Sequence, residues 1–312
     1  MPRFDVTIAG ELNLDLILYG LPADLPAERE VLADHMMLTL GSSSAIVAHN
    51  LASLGNRVGF QSLVGEDEFG QIALERLAHS GVDTSLVRRV RGSQTGLTVI
   101  LQHPEWRNIL TYSGTIAQLG FAHLDIDYLS DARHFHLSSF YLQSGLRPHV
   151  PELFRLLKAA GLTISLDTND DPEDRWGDLR DVLRNVDIFL PNEREACKLA
   201  GTDDLRLAVE RLAEMVPVVV VKLGAKGAMA LRGDQMLESP ALRVEAVDPV
   251  GAGDSFDAGF LHQYVRGADL TSCLASGNLA GALSTTRSGG TEAFGDREHR
   301  EAFFRHQTKV PR

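Results

Sequence analysis

The stretch DPVGAGDSFDAGFL, residues 248–261, sets Gly251, Ala252 and Gly253 ahead of Asp254 and then continues with an apolar face at helical spacing. Glycines let backbone N–H groups approach a ligand closely. A helix start adds unpaired donors and the positive end of the helix dipole, so it holds anions such as phosphate. An aspartate beside an anion repels it unless the acid has another task. Two readings stay open. Asp254 caps the first turn, a device worth ~0.5–2 kcal/mol, or it is a general base that takes a proton from an attacking hydroxyl. On the second reading, the N–H groups of 251–253 hold the charge that develops on a transferred phosphoryl group. The acid then addresses the nucleophile and the amides address the phosphate.

Three further clusters could do chemistry. In LPNEREA (190–196), Asn192 and Glu195 share a face if a helix begins there. They form a capping box, or they order Mg2+ through water. In VVKLGAKGA (220–228), Lys222, Gly224 and Gly227 make a hairpin turn with glycines at positive φ, or a turn under the phosphates or sugar of a nucleotide. Asn13 and Asp15, two apart after the first strand, face the same way. They suit sugar hydroxyls, or they satisfy local backbone. A Gly-x-x-x-x-Gly-Lys-Ser/Thr loop is absent, as is a Gly-x-Gly-x-x-Gly in the first βα turn. Both absences weigh against a Walker-type NTPase and a dinucleotide oxidoreductase.

The elements that must position these residues alternate. FDVTIAG (4–10) reads as a buried strand, SSAIVAHNLASLG (43–55) as a helix with a glycine stop, RVGFQSLVG (57–65) as a strand and EFGQIALERLAHSG (68–81) as a helix. The middle repeats the rhythm with HFHLSSF, LTISLDTN and DIFLPN as strands between helical stretches, then two β segments in PVVVVKLGAKGAMAL and a helix in ADLTSCLASGNLAGALSTT. Apolar strands alternating with helices predict a mostly parallel sheet covered on both faces. Residues 14–40 and 93–113 instead alternate polar and apolar like antiparallel strands. They are expected in a small sheet outside the main layer, a lid on a single domain spanning 1–312, and its strands could pair with a second copy in a homodimer. The tail HQTKVPR is expected to fray.

A net charge of −12 argues against nucleic-acid or anionic-membrane partners but not against a small anion held locally. Cys197 and Cys273 lie far apart in no metal-like spacing, which suits a reducing compartment. The N-terminus lacks the pattern of a signal peptide and no apolar run reaches membrane length, so a cytoplasmic protein is expected.

Together and in this order, the motifs resemble those of the PfkB (ribokinase-like) carbohydrate kinases over nearly the full chain. DPVGAGDSFDAGF is similar to the family's C-terminal signature, Asp-Thr-x-Gly-Ala-Gly-Asp. GSSSAIVAHNLASLG with VGEDEFG (64–70) is similar to its N-terminal signature, and PNERE to its Asn-x-x-Glu motif. The resemblance implies a three-layer α/β core with a mostly parallel central sheet and a small β-sheet lid. It implies ATP-dependent transfer of the γ-phosphoryl to a hydroxyl of a small sugar or sugar acid. Asp254 becomes the base, Gly251, Ala252 and Gly253 the anion hole, and Asn192 with Glu195 the Mg2+-ordering pair. Lys222, Gly224, Gly227 and Asn278 become nucleotide contacts, and Asn13, Asp15, Gly41, Ser42 and Ser43 fall where the acceptor binds. Members often need K+ near the anion hole, where Asp248 opens the loop. Three departures stand out: Ser42 replaces a glycine and would stiffen the lid hinge, Ile46 replaces a sugar-contacting Asn, and Pro249 replaces Thr. DTNDDPEDRW (167–176) resembles a stretch of the fructokinase and ketodeoxygluconate kinase branches and favours a sugar or sugar acid. A nucleoside kinase of the same fold, suggested by Ile46, and a non-catalytic sugar-binding regulator are the alternatives.

Overall fold

Thirteen strands lie among residues 1–103, 105–177 and 179–309, which the computed structural model describes. In chain order they are β1 (Phe4–Ala9), β2 (Leu14–Tyr19), β3 (His35–Leu40), β4 (Val58–Gly65), β5 (Asp83–Val90), β6 (Leu97–Gln102) and β7 (Arg107–Tyr112). They continue with β8 (Ala132–Leu137), β9 (Thr163–Leu166), β10 (Ile188–Phe189), β11 (Val218–Lys222), β12 (Ala228–Arg232) and β13 (Gln235–Ser239). Nine of them form one sheet in the order β13-β12-β11-β10-β9-β8-β1-β4-β5. Every pairing from β11 to β5 is parallel, and the β11–β12 and β12–β13 pairings are antiparallel.

Alternation along β11 shows how this sheet becomes the middle of three layers. Val218 and Val220 pack with the helices Ser43–Ser53, Ala252–Tyr264 and Leu270–Thr285, while Val219 and Val221 pack with Val150–Ala159 and Leu205–Ala213. The sheet is not wholly apolar. His134, His136 and Ser138 on the β8 side meet Thr163 and Ser165 of β9 in a hydrogen-bonded row, each contact at 2.7 Å. Burial holds His136 down to about 4, so this row is uncharged near neutral pH.

The second sheet has the order β3-β2-β6-β7. Its outer pairings are antiparallel, as the alternation predicts, but β2 and β6 pair parallel. The reason lies in the main sheet. β2 follows β1 and β6 follows β5, and these parent strands run the same way. Two hairpin arms leaving the same end of a parallel sheet start in the same direction and dock side by side. They stand at the carboxyl ends of the strands, where ligands bind in open α/β sheets.

Two edge strands, β5 and β13, escape the sequence reading: each is short of buried apolar residues on one or both faces. The expected frayed tail is instead helical through Lys309, and residues 310–312 lie outside the described residues. No helix among the described residues is long and apolar enough to cross a membrane.

Candidate active site

The helix Ala252–Tyr264 begins at Gly251, whose φ of 72° is left-handed, and a Cβ there would press on Gly290. Its N-cap Gly251 has no side chain, and among the described residues no side-chain cap hydrogen bond forms there. Asp254 lies in the first turn, buried, with the Ser43 hydroxyl among the groups acting on its carboxylate. Burial above all, with the negative charges of Asp167 and Glu11, pushes its pKa up to about 6, against the pull of Lys222 and Ser43.

Lys222 closes β11 and stands at the centre of a buried charged cluster. Its backbone bridges to Asn192, and its N–H donates to the carbonyl of Pro191 at 3.0 Å. Its Nζ reaches Asp167 Oδ2 at 2.6 Å and the two oxygens of Asp257 at 3.2 and 3.3 Å. Burial raises Asp167, but Lys222 and hydrogen bonds outweigh it and hold that acid below the usual carboxylate range. Asp257, fully buried with Asp167 beside it, is driven well above that range. The Asn192–Glu195 pair forms the capping box of the helix Glu193–Ala200: Asn192 accepts from the Glu195 N–H at 3.0 Å and Glu195 accepts from the Asn192 N–H at 2.9 Å. Both Glu195 oxygens accept from Asn192, Oε2 from its backbone N–H and Oε1 from its side-chain amide, and Glu195 is buried and lifted to about 7 by burial and then by Asp167.

Past Lys222, Gly224 and Gly227 both take positive φ, 57° and 105°, and a Cβ on Gly227 would collide with the Ser239 carbonyl. Asn278 does not reach toward this turn with its amide N–H groups. They donate to Ser239 O at 2.9 Å, Ser239 Oγ at 3.1 Å and Pro240 O at 3.2 Å, so Asn278 braces the end of β13 against the helix Leu270–Thr285.

Among the residues expected at the acceptor, Asn13 donates to Thr98 Oγ1 at 3.2 Å, while its Oδ1 is buried without a partner. Asp15 is buried and pushed up to about 7, first by desolvation and then by Asp254 and Asp248. A Cβ on Gly41 would collide with its Oδ1, so glycine is required where β3 meets the helix Ser43–Ser53. Ser42 has φ 63° and ψ 136°, left-handed for a residue with a side chain, and its hydroxyl donates to the Glu11 carbonyl at 2.8 Å.

Tyr19, at the end of β2, joins the two sides. Its hydroxyl donates to Asp248 Oδ2 at 2.6 Å, and its ring packs with Ile17, Ile100 and Val250. Asp248 also accepts from the Gly289 N–H at 3.0 Å and the Val250 N–H at 2.9 Å.

A profile of pfkB family carbohydrate kinases matches residues 3–296. The chain belongs to this family. An uncharacterized sugar kinase of Archaeoglobus fulgidus is 32% identical over 78% of this chain and 96% of its own. A deoxyribokinase of Salmonella typhi is 30% identical over 91% of this chain and 94% of its own. An E. coli protein described as a ribokinase II, solved with ATP and Mg2+, superimposes with a TM-score of 0.82 at 27% identity, over 97% of this chain and 99% of its own. The activity class is therefore ATP-dependent carbohydrate kinase, and the fold is ribokinase-like.

The pfkB motifs left out several neighbours of the residues they named. Glu11, Asp167 and Asp257 are buried acids of this site, and Tyr19 and Thr98 bind its named residues. Asp257 was within reach of the sequence, three residues after Asp254 and so on the same helix face. Ile46 lies within 2.7 Å of where a Cβ on Gly290 would sit, packed between Gly290 and Gly251, while Asn50 one turn later donates to the Gly290 carbonyl at 3.0 Å.

Proposed function

We propose that this pfkB chain transfers the γ-phosphoryl group of ATP to a hydroxyl of an uncharged sugar, with Asp254 as the general base. The observation that supports this best is the state of Asp254: buried in the first turn of the helix, with no side-chain cap bond there, and lifted to about 6 beside the amides of 251–253. A base of that strength accepts a proton from the attacking hydroxyl and gives it up again near neutral pH. The amides and the helix start hold the charge on the transferred group.

The donor sets differ in what they would hold. Glu195, a buried carboxylate lifted to about 7 with Asp167 beside it, is short of positive charge. With Asn192 it fits a role in ordering the water shell of Mg2+, which would neutralise phosphate oxygens when bound. Asp248 fits a K+ ligand poorly, because its two oxygens already carry three protein donors. Its role is instead to tether Tyr19. Lys222, Gly224 and Gly227 border the nucleotide, and Asn278 supports that wall from behind.

The acceptor is narrowed by charge. The charged groups acting on Asp15 are Asp254 and Asp248, both acids, so a sugar acid or sugar phosphate would be repelled. The unpartnered Asn13 Oδ1 suits a sugar hydroxyl instead. The nucleoside reading loses its motive, since Ile46 turns toward Gly251 and Gly290. On the lid, β7 is exposed throughout, with Ile109, Leu110 and Tyr112 all more than half accessible, and we place a second copy of the chain there.

An ADP-release assay over neutral sugars, sugar acids, sugar phosphates and nucleosides tests the reading. Turnover is expected with a neutral sugar, at least tenfold better in kcat/KM than with its acidic counterpart, and unchanged when Na+ replaces K+. Turnover confined to anions or nucleosides overturns the acceptor assignment, and strict K+ dependence overturns the role given to Asp248. A monomer in light scattering at micromolar concentration removes the second copy.

A further inference from the structure

We infer that Lys222 is the cation that meets the transferred phosphoryl group, held for that task by Asp167 and Asp257. This rests on the phosphoryl-transfer reading above and adds a catalytic residue to it.

The geometry begins with the count of donors. An ammonium has three N–H bonds. One goes to Asp167 Oδ2 at 2.6 Å, and a second is shared by the two oxygens of Asp257 at 3.2 and 3.3 Å. A third remains. A Cβ placed on Gly253 would lie 3.8 Å from Nζ, so the ammonium lies against the last residue of the amide loop. The side chain is only 11% exposed, which leaves little water to compete for the free N–H.

Two carboxylates on one lysine would cancel its charge if both were ionised. They are not equivalent. Lys222 Nζ lies 2.6 Å from Asp167, which is held below its usual range, and 3.2 and 3.3 Å from Asp257, which burial drives well above it. Asp167 is therefore the stronger counter-charge, and Asp257 opposes the ammonium less. The same ammonium is the cation acting on Asp167, Asp254, Asp257 and Glu195. A buried ion cluster is a weak source of stability. A fixed, dehydrated cation beside an anion hole is a strong source of transition-state stabilisation.

The acceptor oxygen bonds to the γ-phosphorus and its proton passes to the Asp254 carboxylate. The bond to the β,γ-bridging oxygen breaks and its electron pair leaves on ADP. Lys222 keeps its three protons and donates its free N–H to a phosphoryl oxygen throughout. Asp167 and Asp257 fix its position and do not touch the reacting atoms.

Lys222→Gln keeps a donor for Asp167 and removes the charge. With a parent enzyme shown to be active, kcat should fall by about 10²–10³-fold. Binding of AMP-PNP, read by calorimetry, should change less than about fivefold, and Lys222→Arg should recover at least tenfold of the loss. Asp167→Asn unties the ammonium without removing it, so kcat should fall at least tenfold while the KM for acceptor stays within threefold. A Lys222→Gln enzyme within threefold of the parent kcat overturns the inference and leaves the kinase reading standing. A parent inactive with every acceptor sinks the kinase reading itself. Should the Gln variant not fold, 15N-lysine labelling of the parent decides. The chain's lysines are Lys158, Lys198, Lys222, Lys226 and Lys309, and the buried ammonium of Lys222 should give the slowly exchanging signal. That signal should move when Mg2+–ADP and tetrafluoroaluminate are added, and an unmoved signal overturns the assignment.

Discussion

On the phosphoryl side of the site, Asp167, Asp254, Asp257 and Glu195 all act against one ammonium, that of Lys222. On the acceptor side, Asp15 and Glu11 are just as buried, but their neighbours are hydroxyls, amides and other carboxylates. On the function proposed above, the first group is arranged for the charge of the transferred phosphoryl, and the second is left for a ligand whose hydroxyls complete it. On that reading, charge pairing within the protein marks the part of the site fixed by the reaction, and unpaired polarity marks the part fixed by the acceptor.

Asp254→Asn is the variant that should disturb this contrast most. An amide cannot accept the proton, so kcat should fall by about 10²–10⁴-fold. Stability should move the other way, and only at higher pH. The folded pKa of about 6 lies above the ordinary 3.8, so folding favours the protonated form. That contribution is full below pH 4 and is lost as pH rises through 6, at a cost of order 2–3 kcal/mol. Asn escapes the cost. Its melting temperature should exceed the parent's at pH 8 and match it near pH 4, and kcat of the parent should decline below pH 6. A variant that keeps activity within threefold, or gains stability equally at both pH values, removes Asp254 as the base.

Tyr19→Phe tests whether the two sides are coupled. The phenol ties β2, which carries Asp15, to the loop that opens at Asp248. Losing a hydrogen bond to a charged group, with the acid left buried, costs about 1–3 kcal/mol. The KM for acceptor should rise about threefold to tenfold, because the strand that presents Asp15 is loosened, while kcat changes less. Unchanged melting and unchanged KM together would mean that the bond is incidental and the sides act independently.

How much of this could be read from residues alone follows from range. Asp254 with 251–253, and Asn192 with Glu195, were legible because each motif sets its backbone and its chemistry within one turn. The Gly224–Gly227 turn was legible for the same reason. Lys222 was found, but its partners were not: Asp167 lies 55 residues away and meets it only because β10 seats β9 near β11. Asn278 was placed correctly on its helix, yet its amide is taken by Ser239 and Pro240, which arrive through β13, a strand the periodicity does not reveal. The parallel β2–β6 pairing was hidden likewise, since alternation fixes which residues share a face but not which way a neighbouring arm runs.

The smallest effect concerns the hinge of the acceptor side. Ser42 holds φ 63° and ψ 136°, a conformation reached comfortably by glycine and at a cost of about 1–3 kcal/mol by other residues. Its hydroxyl partly offsets that cost through the 2.8 Å bond to the Glu11 carbonyl, worth about 0.5–1.5 kcal/mol. Ser42→Gly removes the strain and the bond together, and adds freedom to the unfolded chain worth about 0.5–1 kcal/mol. These terms nearly cancel, so Gly should stay within about 1 kcal/mol of the parent in urea unfolding. Ser42→Ala keeps the strain and loses the bond, so it should be the least stable of the three, about 1 kcal/mol below the parent. Neither change touches the phosphoryl side, and kcat should hold within twofold for both. The order of Ala and Gly is what decides. If Ala proves as stable as Gly, the backbone at Ser42 relaxes freely and the hinge stores no strain. If Ala falls below Gly as expected, the hinge beside Gly41 is held in place by a single serine hydroxyl, on the side of the site where the protein leaves most to its ligand.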